Sequence, residues 1–330
     1  YTGKPDSYYN AIINWVKQRY DLIVTKEVIN FVPGIVPGIG MAMNCFTQKG
    51  DKVMIQPPVY HPFAWVTTRN ERTLVINPLR WENGMYRMDL DAFREQIKGC
   101  KLFILCNPHN PGGVVWTEAE LRAIADICYD EKVLVFSDEI HADLTLPPHT
   151  HRPFATVSEK ARMNSVTFMS PSKAFNMPGL SASHALIFNE DLRKRFRIYM
   201  DAGELDMGHV FAFLSVEAAY SHGTEWLDQC LAYIQGNIDF VDEFLKKHAP
   251  KIKAIRPEAS YLVWLDCREL ELSQKDLNEF FVDKAHLALN DGEMFGKEGI
   301  GFMRLNVASP RCIIEKAMKQ LADAYQLYIK

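Results

Sequence analysis

Four segments of the chain carry more chemistry than a connection between elements requires, and each follows a short apolar run that reads as a strand. The carboxyl ends of strands are where open parallel sheets bind ligands. Ser170-Pro-Ser-Lys173 follows Val166–Met169. Ser-x-x-Lys is also the nucleophile motif of serine β-lactamases and penicillin-binding proteins, but that reading needs a Lys-Thr-Gly or Lys-Ser-Gly strand, and the chain has neither. A lysine poised in a closed pocket forms a Schiff base instead; a surface lysine is the plain alternative. Ser137-Asp-Glu-Ile-His-Ala-Asp143 follows Val133–Phe136. An acid leaving a buried strand is costly unless a cation or strong donor meets it. Asp138, His141 and Asp143 can be read as a metal site, Asp138 as an acid awaiting a protonated ligand nitrogen, or Asp138 as a simple cap.

The other two segments are backbone devices. Cys106-Asn-Pro-His-Asn-Pro-Gly-Gly113 contains two Asn-Pro pairs. Proline restricts the residue before it, so the Asn110 amide can be held rigidly; the alternative is a stiff structural turn. In Val32-Pro-Gly-Ile-Val-Pro-Gly38 a strand turns into a helix that starts near Ile35 and stops before Gly50. Free N–H groups at such a start suit a phosphate, although an ordinary strand-to-helix turn looks the same. Together the four segments supply a phosphate seat, a rigid amide, a buried acid and a reactive amine. Pyridoxal 5′-phosphate (PLP) uses all four. Gly292-Glu-Met-Phe-Gly-Lys297 is one residue short of a P-loop, no GxGxxG occurs, and His149-Thr-His151 in a Pro-rich loop reads as a surface pair.

These segments need a parallel sheet to hold them. The apolar runs Val28–Val32, Val53–Ile55, Thr73–Ile76, Lys101–Cys106, Val133–Phe136, Val166–Met169 and Ala185–Phe188 are nearly continuous, as for strands covered on both faces. Helical patterns alternate with them, and Thr117-Glu-Ala-Glu120 is a capping box before one ending near Glu131. Strand, helix, strand in that order predicts right-handed crossovers. Residues from His209 to Tyr220 are apolar nearly all round and predict a buried helix; Glu225–His248 predicts a long one. Strand-like Tyr261–Leu265 and Gly301–Val307 follow, then a last helix with Ile314, Ala317, Leu321 and Tyr325 on one face. The predicted fold is α/β: a large domain (1–228) with a mostly parallel sheet sandwiched by helices, and a smaller α+β domain (229–330).

Composition excludes other classes. The 330 residues are 48% hydrophobic and 24% charged with net charge −4, so the chain buries a sizeable core. No basic stripe predicts nucleic-acid binding. No apolar stretch approaches the roughly 20 residues of a membrane helix. Seven cysteines without a CxxC pair fit reduced, mostly buried thiols in a cytoplasmic protein.

The motif order resembles the fold-type I, PLP-dependent aminotransferases of class I/II. The finer spelling, with Trp264-Leu-Asp-Cys-Arg268 added, is similar to their MalY/PatB branch, the cystathionine β-lyase-type C–S lyases. The resemblance runs from Tyr1 to the last helix and implies the following roles. Lys173 holds PLP covalently, Asp138 pairs with the pyridinium nitrogen, and Asn110 and His141 face the phenolic oxygen. Tyr60 stacks on the ring. The N–H groups of Ile35 and Val36 and the hydroxyls of Ser170 and Ser172 hold the phosphate, while Ser181 stands where many relatives carry a basic residue. Arg304 takes the α-carboxylate of a small amino-acid substrate. Tyr1 matches a tyrosine that reaches the phosphate of the neighbouring subunit, so a homodimer is expected; no metal is. The family has a further segment before the counterpart of Tyr1, and the chain opens without Met, which predicts a missing N-terminal segment.

All these residues serve two reactions. In a C–S lyase a thiolate leaves Cβ and the remainder becomes pyruvate and ammonia. In an aminotransferase Lys173 returns the Cα proton to C4′ of the cofactor. The spelling of the motifs favours the lyase over the aminotransferase, and over a PLP-binding regulatory module.

Overall fold

A computed structural model describes residues 3–328. Seven strands build the central sheet: β1 (Ile29–Val32), β2 (Lys52–Ile55), β3 (Thr73–Ile76), β4 (Cys100–Cys106), β5 (Leu134–Asp138), β6 (Ser165–Met169) and β7 (Ser183–Leu186). Their spatial order is β1-β7-β6-β5-β4-β2-β3. All neighbours pair in parallel except β7, which is antiparallel to both β1 and β6. The apolar runs are continuous because both faces are covered: Leu102 and Ile104 of β4 enter one core, Phe103 and Leu105 the other. The helix Glu118–Asp130 supplies Leu121, Ile124, Ala125 and Cys128 to the second core, and the expected capping box at Thr117 and Glu120 is formed.

A second sheet has the order Lys253–Ile255, Leu262–Asp266, Phe302–Asn306, Asn290–Asp291, all antiparallel. The helix Thr224–His248 buries Leu227, Leu231, Ile234, Ile238, Val241 and Leu245 along one stripe. That stripe joins Val263, Leu265 and Met303 of the second sheet and Tyr8, Ile12 and Trp15 of the helix Asp6–Tyr20 in one cluster.

Three expectations are corrected. The strand near residue 185 begins earlier, at Ser183, and includes the buried polar residues Ser183 and His184. Backbone pairing with Val32 and Phe31 sets its start, and hydrophobicity does not report that pairing. The helix Val210–His222 is not buried all round: Ala212, Phe213, Val216 and Tyr220 face the core, whereas Phe211 is 66% and Leu214 49% exposed. His149 and His151 are not a surface pair, because His151 is buried against Glu139. Among the described residues no helix is long and apolar enough to cross a membrane, and all seven cysteines are free.

Candidate active site

The carboxyl ends of β1, β4, β5 and β6 open onto a cavity of about 500 Å³. Ile35, Val36, Tyr60, Asn110, Asp138, His141, Ser172, Lys173 and Arg304 all line it. Tyr1 lies outside the described residues. A larger hollow of about 830 Å³, between the Pro147–His149 loop and the Ile252–Glu258 segment, contains none of the motif residues.

The helix Ile35–Phe46 forms one wall. No side chain caps its start, and the first helical bond is Gly38 N–H to Gly34 O at 2.8 Å. The N–H groups of Ile35 and Val36 have no intrahelical acceptor and remain available to an anion. Close packing sets the wall's position: a Cβ on Gly38 would fall 2.9 Å from Val32 Cγ2 of β1. Ser172 lines the same cavity as this helix start. Ser170, expected to share its role, does not line the cavity. Its hydroxyl donates to Ala182 O at 2.7 Å and accepts from Ser172 N–H at 3.1 Å, so it braces the turn that carries Ser172 and Lys173.

Asp138 ends β5 and is buried. Its Oδ1 accepts one hydrogen bond, from Ile140 N–H at 3.1 Å. Burial pushes its pKa up to about 7, against the lowering effect of the Ile140 N–H and the Lys173 charge. A carboxyl in this state gains most from a cationic N–H donor. His141 is buried with Nδ1 unpartnered. Burial pushes its pKa down to about 3, and the charges of Lys173 and Arg304 act the same way, so the imidazole is neutral at pH 7. Burial raises the pKa of the half-buried Tyr60 hydroxyl, with Asp138 adding to the effect.

Arg304 comes from the strand Phe302–Asn306 of the second sheet. Its Nη1 donates to Asn110 Oδ1 at 2.8 Å, so the rigid amide of the Asn-Pro loop and the late arginine meet. Its Nη2 donates to Asn290 Oδ1 at 2.8 Å. Asn290, Asn306 and Tyr261 also line the cavity. Sequence reasoning missed all three, and the only signal for Asn290 is its cross-strand register with Arg304.

Asp138 and Asp143 diverge. Asp143 accepts from Trp15 Nε1–H at 2.9 Å and from the Tyr20 hydroxyl, so it does not share a metal site with Asp138 and His141. Glu139 also leaves the cavity. It accepts from Ser137 Oγ–H and Phe154 N–H, both at 2.8 Å, and pairs with His151 Nε2 at 2.8 Å. Among the described residues no ion pair engages Asp138 or Lys173, and the lining therefore offers an open helix start, a buried acid, a neutral imidazole and an amine. These donors fit a phosphorylated aromatic aldehyde with a basic ring nitrogen.

Comparison with known proteins agrees. The family described as aminotransferase class I and II matches residues 2–321. The chain is 37% identical over 326 residues to cystathionine beta-lyase PatB of Bacillus subtilis, covering 98% of this chain and 84% of the relative. It is 29% identical to protein MalY of Escherichia coli, over 97% of this chain and 82% of the relative. Among solved structures, it is similar to cystalysin from Treponema denticola, which contains a pyridoxal 5′-phosphate cofactor. The TM-score is 0.97 and the identity 34%, over 100% of this chain and 84% of that one. The PLP-bound C-S lyase from Staphylococcus hominis gives a TM-score of 0.91 and 33% identity, over 98% and 83%. The chain belongs to the class I and II aminotransferase family.

Proposed function

We propose that this protein is a PLP-dependent C–S β-lyase of the cystathionine β-lyase type, acting on cystathionine and cysteine-like thioethers. The observation that carries the cofactor reading is the convergence of Lys173, Asp138, His141 and the open helix start in one cavity. The choice of lyase rests on likeness to PatB along 98% of the chain.

PLP, when bound, supplies an electron sink for the bonds broken at Cα and Cβ. The residues of the chain do the rest. Lys173 anchors the cofactor through its amine and, once displaced by substrate, takes the Cα proton on Nζ. Asp138 accepts a hydrogen bond from the protonated ring nitrogen and holds that proton in place. The Ile35 and Val36 N–H groups and the Ser172 hydroxyl would hold the phosphate, with Ser170 bracing Ser172; Asn110 and His141 would serve the phenolic oxygen and Tyr60 the ring face. Arg304 binds the α-carboxylate and orients the Cα–H bond towards Lys173. The Cβ–S bond breaks with both electrons going to sulfur, the thiolate takes a proton, and water converts the remainder to pyruvate and ammonia.

We also propose a homodimer in the cytoplasm, with domains at 1–228 and 229–330. Exposed Met207, Val210, Phe211 and Leu214 support the dimer. His209 Nε2 meets Leu180 O at 3.0 Å and so links that face to the cavity loop containing Pro178 and Ser181.

The test is product analysis with L-cystathionine and no keto acid. Release of pyruvate and a free thiol is expected. Product that appears only with an added keto acid, with no thiol, replaces the lyase by an aminotransferase.

A further inference from the structure

Arg304 is a half-buried cation held by neutral groups. Nη1 and Nη2 donate to the amide oxygens of Asn110 and Asn290, each at 2.8 Å. The Phe295 ring lies beneath the guanidinium, 4.6 Å from centroid to Cζ. Burial pulls the pKa down to about 10, which leaves the group charged at pH 7. No carboxylate pairs with it among the described residues, and its buried Nε has no acceptor. A partly desolvated cation with no carboxylate beside it gains from an anion that meets it.

The segment from Asn290 to Phe295 is built to keep it so. Asn290 and Asp291 are adjacent in a short edge strand, so their side chains leave on opposite faces. Asn290 pairs in register with Arg304. Asp291 is held elsewhere: its Oδ1 accepts from Gln274 Nε2–H at 2.6 Å and from Glu293 N–H at 2.9 Å. The segment therefore presents an amide and an aromatic face to the arginine and turns its acid away.

We infer that Asn290 is a positioning residue for substrate binding: with Asn110 it fixes the Arg304 guanidinium for the α-carboxylate without neutralising it. This rests on the role proposed for Arg304. An amide oxygen orients N–H donors at no cost in net charge, whereas a carboxylate there would occupy the cation as an internal rival to substrate.

The test uses the PLP-loaded enzyme and Asn290→Ala, Asn290→Asp and Arg304→Ala. The readouts are kcat and KM for L-cystathionine, the competitive inhibition constant of propionate, and the affinity for S-ethylcysteamine, an amine thioether without a carboxylate. Asn290→Ala should raise KM and the propionate constant by roughly tenfold, the scale of one hydrogen bond to a charged group, with kcat changed less than about twofold. Asn290→Asp should raise both further, and S-ethylcysteamine should bind to both variants as to wild type. Asn290 variants that leave propionate binding unchanged, while Arg304→Ala abolishes it, overturn this inference alone. If Arg304→Ala also leaves propionate binding unchanged, the carboxylate role of Arg304 fails with it. Equal losses for propionate and S-ethylcysteamine in the Asn290 variants make Asn290 a general structural residue and overturn the inference.

Discussion

Glu139 and His151 meet at 2.8 Å in the interior, one residue along the chain from the acid that lines the cavity. Because Glu139 also collects Ser137 Oγ–H and Phe154 N–H, it anchors the turn on which Asp138 and His141 are carried. The precision of the site thus depends on a carboxylate that never faces the ligand.

Glu139→Ala should destabilise the protein by roughly 2–5 kcal/mol, because it leaves the buried Ser137 hydroxyl, Phe154 N–H and His151 ring without their partner. Glu139→Gln, which keeps an acceptor for two of the three donors, should lose less. Urea midpoints measure both, and a Glu139→Ala variant as resistant as wild type would show the cluster to be energetically idle.

Lys173→Ala should leave the fold intact and abolish covalent cofactor attachment. Mass analysis after borohydride reduction reads this directly: the adduct on the Lys173 peptide should disappear. An adduct that persists elsewhere in the chain would move the anchor to another lysine.

Asp138 carries a pH signature. Burial raises its pKa from 3.8 to about 7, so in the cofactor-free protein the folded state holds this proton more tightly than the unfolded chain. The resulting stability is fully present below the unfolded value and is lost as pH rises through about 7. An amide at this position would not titrate, so the cofactor-free Asp138→Asn protein should gain in melting temperature relative to wild type as pH rises from about 4 to about 8, with the gain levelling near the top. The same substitution should cut turnover severely, because an unprotonated ring nitrogen is a poorer electron sink. A pH-independent difference in melting would contradict the buried, perturbed carboxyl.

The exposed face of the helix Val210–His222 should be covered by a second copy of the chain. Phe211→Glu combined with Leu214→Glu should shift sedimentation from dimer to monomer and weaken cofactor retention, since the helix is tied to the cavity loop through His209 and Leu180. A wild-type protein that sediments as a fully active monomer would rule this out.

Residue order by itself determined the local chemistry. Prolines around Asn110, an acid after the apolar run of β5, a lysine after that of β6 and a Pro-Gly turn before Ile35 are each readable within about ten residues, because backbone restriction and strand burial act over that range. The capping box at Thr117 was legible for the same reason. Tertiary structure alone decided which of these groups meet, and what holds them. Asn110 and Arg304 lie 194 positions apart, and Asn290 joins them through strand register, which leaves no mark in either local sequence. The reversal of β7 follows from a connection from 170 to 182 that contains no α-helix to carry a parallel crossover. The burial of His151 against Glu139, the departure of Asp143 towards Trp15 and Tyr20, and the exposure of Phe211 and Leu214 likewise depend on what packs against each side chain. A residue's type states what it can bond; only the folded chain states what lies within reach.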